Sequence, residues 1–193
     1  MKDGFTSQRI ADAARTLLEA EGADGVTMRR VAAAVGITAM AVYRHYPDRD
    51  GLLNALADEG FVGLAVRLAE ARVAGSLEER MWKLLDANLD FAMERPRLFE
   101  LMFLRPRQGA RQFPRDFVAG KSPTANQFAE LVAEGMRDGV FREEDVWEIV
   151  FETGALLQGL VMLYLGGRVS GTEKEFRELC HRALGRYLHG IRK

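Results

Sequence analysis

The chain lacks the raw material of several protein classes. Of its 193 residues one is cysteine, Cys180, which excludes an internal disulfide and a cysteine-rich zinc site and suits a reducing compartment. Its three histidines are His45, His181 and His189, and the last two stand too far apart for the three- or four-residue spacing of metal ligands on one helix. Neither charge is in surplus. With 27 Lys and Arg against 28 Asp and Glu the net charge is −1, so the whole-chain field gives no hint of nucleic acid. The longest apolar run, Ala155 to Leu165, contains Gln158 and falls short of the roughly 20 residues needed to cross a bilayer. No apolar stretch follows the charge at Met1 to Phe5, so no signal peptide is expected. A nucleophile elbow, a phosphate-binding glycine loop and an HExxH pair are missing too. The expectation is a soluble cytoplasmic protein without membrane contact, cofactor, metal or enzymatic activity.

At 48% hydrophobic residues the chain can bury a real core. Period-two alternation is absent and the 3.6-residue pattern recurs, so the fold class is all-α. Asp48 can cap a helix reaching about Ala74; Ser76 with Glu79, and Thr172 with Glu175, have the spacing of capping boxes for helices ending near Glu94 and Gly190. A short helix is expected over Arg97 to Leu104. Ser122-Pro123 opens a helix that Gly139 closes, and Glu143-Glu144-Asp145 opens one that Gly166-Gly167 stops. Residues 105–121, with Pro106, Gly109, Pro114 and Gly120, read as a long loop. With three helices before Asp48, the count is about nine.

The first three helices carry the most specific signal. Phe5-Thr6, Val26-Thr27 and Ile37-Thr38 each set a capping hydroxyl behind an apolar residue, with Ile10, Val31 and Val42 at hydrophobic-staple distance. Small residues Ala32-Ala33-Ala34 precede Gly36, which can take a positive φ at a corner. Two short helices around such a corner outline a helix-turn-helix, whose partner is duplex DNA. Between Thr27 and Arg49 the charges are Arg29, Arg30, Arg44 and Arg49 against Asp48, a local positive excess in a neutral chain.

VAAAVGITAMAVYRHYPDRDGLL resembles the signature of the TetR/AcrR family of bacterial one-component transcriptional regulators, densely over roughly positions 5 to 55. The resemblance implies a DNA-binding domain at 1–50 and an effector-binding and dimerisation domain at 51–193. It also implies phosphate contacts from Tyr43, His45 and Arg49, and groove-edge contacts from Thr27, Met28 and Arg29. The first positions of the second helix of the pair, Thr38, Ala39, Met40 and Ala41, offer one hydroxyl and otherwise apolar surface. Readout there leans on thymine methyls, and Arg44 is the side chain able to grip guanine.

A single reading head touches few bases, so a two-fold homodimer on a palindromic operator is expected. The last two helices suit that role. FETGALLQGLVMLYLGG is apolar on most sides, and Phe176, Leu179, Ala183, Leu184, Tyr187, Leu188 and Ile191 form a wide stripe. A small apolar or aromatic effector would meet Trp82, Leu85, Asn88, Leu89, Phe99, Met102, Phe103, Phe117, Phe128, Glu152 and Gln158, though aromatic and Met side chains equally make an ordinary core. The family resemblance favours a ligand-released repressor. An activator, a corepressor-dependent regulator and an effector-independent architectural DNA binder are the alternatives. The cations of residues 105–121 suggest either steering of an anionic effector or a solvated loop.

Overall fold

A computed structural model describes the backbone of residues 2–193 and side chains from residue 4 onward. The described residues form ten α-helices: α1 (Lys2–Glu21), α2 (Met28–Val35), α3 (Ala39–Tyr43), α4 (Arg49–Ala71), α5 (Leu77–Glu94), α6 (Pro96–Phe103), α7 (Arg115–Val118), α8 (Pro123–Arg137), α9 (Val146–Leu165) and α10 (Glu173–Gly190). A 3-10 turn spans Ala23–Gly25, and an isolated antiparallel bridge joins Phe141 to Arg192. The all-α expectation holds. The additional helix is α7, inside the segment read as a loop.

Two compact units make up the chain. The first comprises residues 1–61 and 94–110. Ile10, Ala14 and Leu18 recur along α1 at helical spacing and are fully buried, as are Val26, Val31, Val42 and Leu52. α6 packs against α1 and buries Leu98, Phe99, Leu101 and Met102. Gly60 makes room for Met102: a Cβ there would lie 2.5 Å from its sulfur. Phe103 sits between Phe99 and Phe61, with ring centroids at 4.6 and 5.1 Å.

The second unit comprises residues 62–93 and 111–193. Its centre is α9, packed on α8 and on α10, with Leu84, Leu89, Leu131, Leu157, Val161, Phe176 and Leu184 in the core. Tyr164 and Phe176 stack at 4.1 Å, and Arg142 N donates to the Ile191 carbonyl to tie down the chain end. Both capping boxes form, Ser76 with Glu79 and Thr172 with Glu175. Asp145 caps α9 through the backbone N–H groups of Trp147 and Glu148.

Two expectations fail on local grounds. Thr6 lies within α1, which begins at Lys2, and Phe5 is exposed while Ile10 is buried, so no staple forms there. The apolar run that looked too short to span a bilayer belongs to a 20-residue helix, α9, which by length and composition alone is long enough. It packs between two neighbours, yet only 28% of its most apolar stretch is buried.

Candidate nucleic-acid interface and effector segment

The helix-turn-helix is built by three local devices. Thr27 is the N-cap of α2, its hydroxyl accepting from Arg30 N at 3.3 Å, and Thr38 is the N-cap of α3, accepting from Ala41 N at 3.2 Å. At the corner Gly36 adopts φ 74°, the left-handed conformation that glycine takes without penalty. There Ile37 N donates to the Ala32 carbonyl at 3.0 Å and Gly36 N to that of Ala33 at 3.2 Å, the paired bonds of a Schellman ending. Pro47 then disfavours helix at Tyr46, and α3 stops after five residues.

What these devices leave in solvent is sparse. Met40 is 67% exposed and Tyr43 47%, beside Thr38 and Arg44, while Ala39 and His45 are half-buried. Tyr46, by contrast, turns inward to within 3.3 Å of the Ser7 hydroxyl. Before α3, Thr27 is half-buried, Arg29 is exposed and Met28 is 7% exposed, a core side chain.

The four arginines of the local positive excess divide into pairs. Arg29 and Arg44 have no hydrogen-bond or ion-pair partner among the described residues. Arg30 pairs with Glu21 and donates to the Gly25 carbonyl, and Arg49 donates to the carbonyls of Val26 and Ala23. The count of charges from Thr27 to Arg49 could not show this, because the partners, the carbonyls of Ala23, Gly25 and Val26 and the carboxylates of Glu21, Asp24 and Asp50, lie outside that stretch.

The residues expected to meet an effector fall in both units. In the first, Phe99, Met102 and Phe103 lie together on α6. In the second, Leu85, Asn88 and Leu89 share the buried side of α5. Asn88 is 9% exposed and its amide has no hydrogen-bond partner among the described residues. Trp82 stacks on the His181 ring at 5.1 Å, whose Nε2 lies 2.7 Å from Asp86. Phe117 meets Phe113 and Phe151 edge-on. Phe128 and Gln158 are half-buried on α8 and α9, and Glu152 is exposed on α9, accepting from the Tyr187 hydroxyl at 2.5 Å. Asn126 donates to the Gly120 carbonyl, so it anchors the preceding segment.

Residues 105–121 are not a free cationic loop. Arg105 pairs with Asp24, and Arg107 pairs with Asp58 and lies over the Phe61 ring. Arg111 donates to the Lys121 carbonyl, while Arg115 and Lys121 both hold the buried Asp116. The Arg115 hydrogen bond, then that of Gln112 N, keeps the Asp116 carboxyl well below its usual range. Each of the five cations of the segment is thus engaged, on three carboxylates and a carbonyl, so the segment is folded and not freely solvated. Burial pushes the Cys180 thiol up to about 11, so the lone cysteine stays protonated and inert.

Comparison with known proteins agrees in both halves. The bacterial regulatory proteins of the tetR family match residues 10–56, and the tetracyclin repressor-like C-terminal domain matches residues 82–187. An HTH-type transcriptional repressor of Streptomyces coeruleorubidus is 40% identical over 57 residues, 30% of this chain and 21% of that protein. An HTH-type transcriptional regulator of Mycobacterium tuberculosis is 29% identical over 141 residues, 71% of this chain and 60% of its own. The chain thus spans about a fifth to three fifths of the length of these curated relatives. A solved structure of a protein of unknown function from Rhodococcus sp. RHA1 superposes with a TM-score of 0.79 at 26% identity, covering 97% of this chain and 95% of that one. The fatty acid degradation regulator FadR of Bacillus halodurans shares the fold, with a TM-score of 0.73 at 19% identity over 96% and 99% of the two chains.

Proposed function

The chain belongs to the TetR family of bacterial transcriptional regulators, and from that premise we propose that it is a sequence-specific repressor, binding a palindromic operator as a homodimer and released by a small apolar or aromatic effector. The observation that carries the DNA reading is the exposed face of α3: Thr38, Met40, Tyr43 and Arg44 stand in solvent on a capped helix, with Arg29 beside them on α2. Met40 and the Thr38 methyl suit thymine methyls, Arg44 suits guanine, and Tyr43, His45 and Arg29 suit phosphates. Thr27 and Ala39 flank this face, and Met28 supports it from the core. The proposed functional division is 1–50 for DNA and 51–193 for effector and dimer.

Dimerisation rests on α9. Phe151, Met162, Leu163 and Leu165 are exposed on it, and a second copy presenting α9 and α10 would cover them as a four-helix bundle. Two heads would then sit about 34 to 36 Å apart, or a multiple of that. The unpaired amide of Asn88 amid apolar α5 residues supports an effector with a hydrogen-bonding group on an otherwise apolar body. α4 runs unbroken from Arg49 to Ala71 through both functional halves, which gives the effector a route to the heads. A hundredfold loss of DNA affinity needs only about 2.7 kcal/mol of preference for the DNA-incompetent state.

The test is selection of bound duplexes from a random pool by the purified protein at moderate salt, where phosphate contacts alone do not retain DNA. A two-fold palindrome is the expected result. Recovery of no motif, with or without candidate effectors, would overturn the reading.

A further inference from the structure

Arginine donors converge on the short segment that leads into α2. Arg49 Nε donates to the Val26 carbonyl at 2.7 Å and its Nη2 to the Ala23 carbonyl at 2.6 Å. From the other side Arg30 Nη1 donates to the Gly25 carbonyl at 3.0 Å. Arg49 is the first residue of α4, and Val26 immediately precedes Thr27, the N-cap of α2. One planar guanidinium therefore ties the start of α4 to the entry of α2. Its remaining charge faces Asp24 at 3.5 Å and Asp50 at 3.8 Å.

We propose that Arg49 is a positioning residue for DNA binding: it fixes the entry of α2, and through the Gly36 corner the presentation of α3, without giving its charge to a phosphate. The proposal rests on the DNA reading above and revises the role that the family resemblance implied for this position. Two of its three nitrogens, Nε and Nη2, are committed to carbonyls, and the third, Nη1, faces Asp50 at 3.8 Å. Arg30 and Arg49 together grip the Ala23, Gly25 and Val26 carbonyls, and that arrangement has a structural use already.

Lysine separates the two roles. A phosphate contact needs a positive charge, which lysine supplies; a fork across two carbonyls needs the planar guanidinium, which lysine lacks. The experiment compares the full-length wild type with Arg49→Lys and Arg49→Ala on duplex recovered from the random-pool selection, across a salt series, and follows amide exchange in the DNA-free protein. The expected result is that Arg49→Lys loses affinity about as much as Arg49→Ala, by roughly fivefold or more. Both keep the wild-type salt slope, and the amides of Val26 to Val31 exchange about tenfold faster in both. Three results would each overturn the proposal: wild-type affinity in Arg49→Lys, unchanged exchange, or a salt slope in Arg49→Ala that is shallower by about 0.9, the signature of one phosphate no longer neutralised. If Arg49→Ala does not fold, Arg49→Lys carries the comparison. A wild type that binds no duplex sinks the DNA reading, and the exchange measurement still decides the role of Arg49.

Discussion

Replacing Gly36 by alanine should destabilise the protein, while the same change at Gly63 should stabilise it. Both positions are open, since a Cβ built at either meets nothing within 4 Å. They differ in backbone. Gly36 sits at φ 74°, where an L side chain costs roughly 1–2 kcal/mol, and Gly63 lies inside α4, where alanine gains about 0.5–1 kcal/mol over glycine. For a chain of this size 1 kcal/mol moves the melting temperature by about 2–4 °C. Gly36→Ala should therefore lower it by about 2–8 °C and Gly63→Ala raise it by about 1–4 °C. Gly36→Val should cost more than alanine, because branching at Cβ adds to the strain, and Gly36→Asn should cost less, because asparagine tolerates the left-handed region. The strain falls on the Schellman ending that aims α3, so part of it should appear as weakened operator binding, at about fivefold for each 1 kcal/mol. Thermal unfolding of the four variants, with binding to the selected duplex, is the assay. If Gly36→Ala and Gly36→Val melt and bind like the wild type, the corner is not held in the left-handed conformation and the account of α3 presentation is wrong.

Arg44→Ala should flatten the base preference of the selected site by about 1–3 kcal/mol at one position per half-site, read by a base-substitution series; an unaltered preference would remove Arg44 from readout. If the proposed dimer forms through α9, Met162→Glu, on its 48% exposed position, should give a folded monomer in sedimentation where the wild type is a dimer, and an unchanged mass would exclude that face as the interface. Asp116 should matter to acid stability in a defined window. Its folded-state pKa is depressed, chiefly by Arg115, so its contribution is complete above the unfolded value near 4 and is lost as pH falls below that. The gap in melting temperature between wild type and Asp116→Asn should be constant from about pH 8 to 5 and should narrow below about 4; a gap that narrows on moving from pH 8 to 6 would refute the assignment.

The parts of the structure legible in the sequence are those whose chemistry is local. The hydroxyls of Thr27, Thr38 and Thr172 find backbone N–H groups three residues on, so spacing alone locates the starts of α2, α3 and α10. Gly36 is legible for the same reason: the Schellman bonds span only Ala32 to Ile37. Thr6 shows where that logic ends. A cap pattern states what a threonine does if a helix starts there, and α1 starts four residues earlier. The helix α7 is hidden because prolines and glycines punctuate residues 105–121, while Asp116, accepting from Gln112 N, Arg115 and Lys121, folds the segment upon itself. The expected effector residues are the least legible, since Leu85 or Phe99 reads alike as pocket wall or core; among them Asn88, 9% exposed and without a hydrogen-bond partner among the described residues, carries a distinction the sequence could suggest, as does the buried, unpartnered Oδ1 of Asn126 outside that set.

The four arginines of the local positive excess serve two different ends in the fold. Counted along the sequence, Arg29, Arg30, Arg44 and Arg49 look like one basic patch; in the fold Arg29 and Arg44 face solvent without a partner among the described residues, and the other two grip the backbone of the turn before α2. With two such guanidinia per head, and first positions on α3 that offer one hydroxyl, the proposed reading leaves Arg44 as the one bidentate contact on α3. On that proposal the rest of the discrimination would fall on fit: the depth to which Met40 and the Thr38 methyl enter the groove, and the angle at which Arg44 arrives. Fit of that kind depends on a rigid turn, because a five-residue helix has no length with which to hold its own direction. On the proposed reading the internal arginines would bear on recognition through geometry, and a chain of net charge −1 would read DNA because its few exposed contacts are held in place.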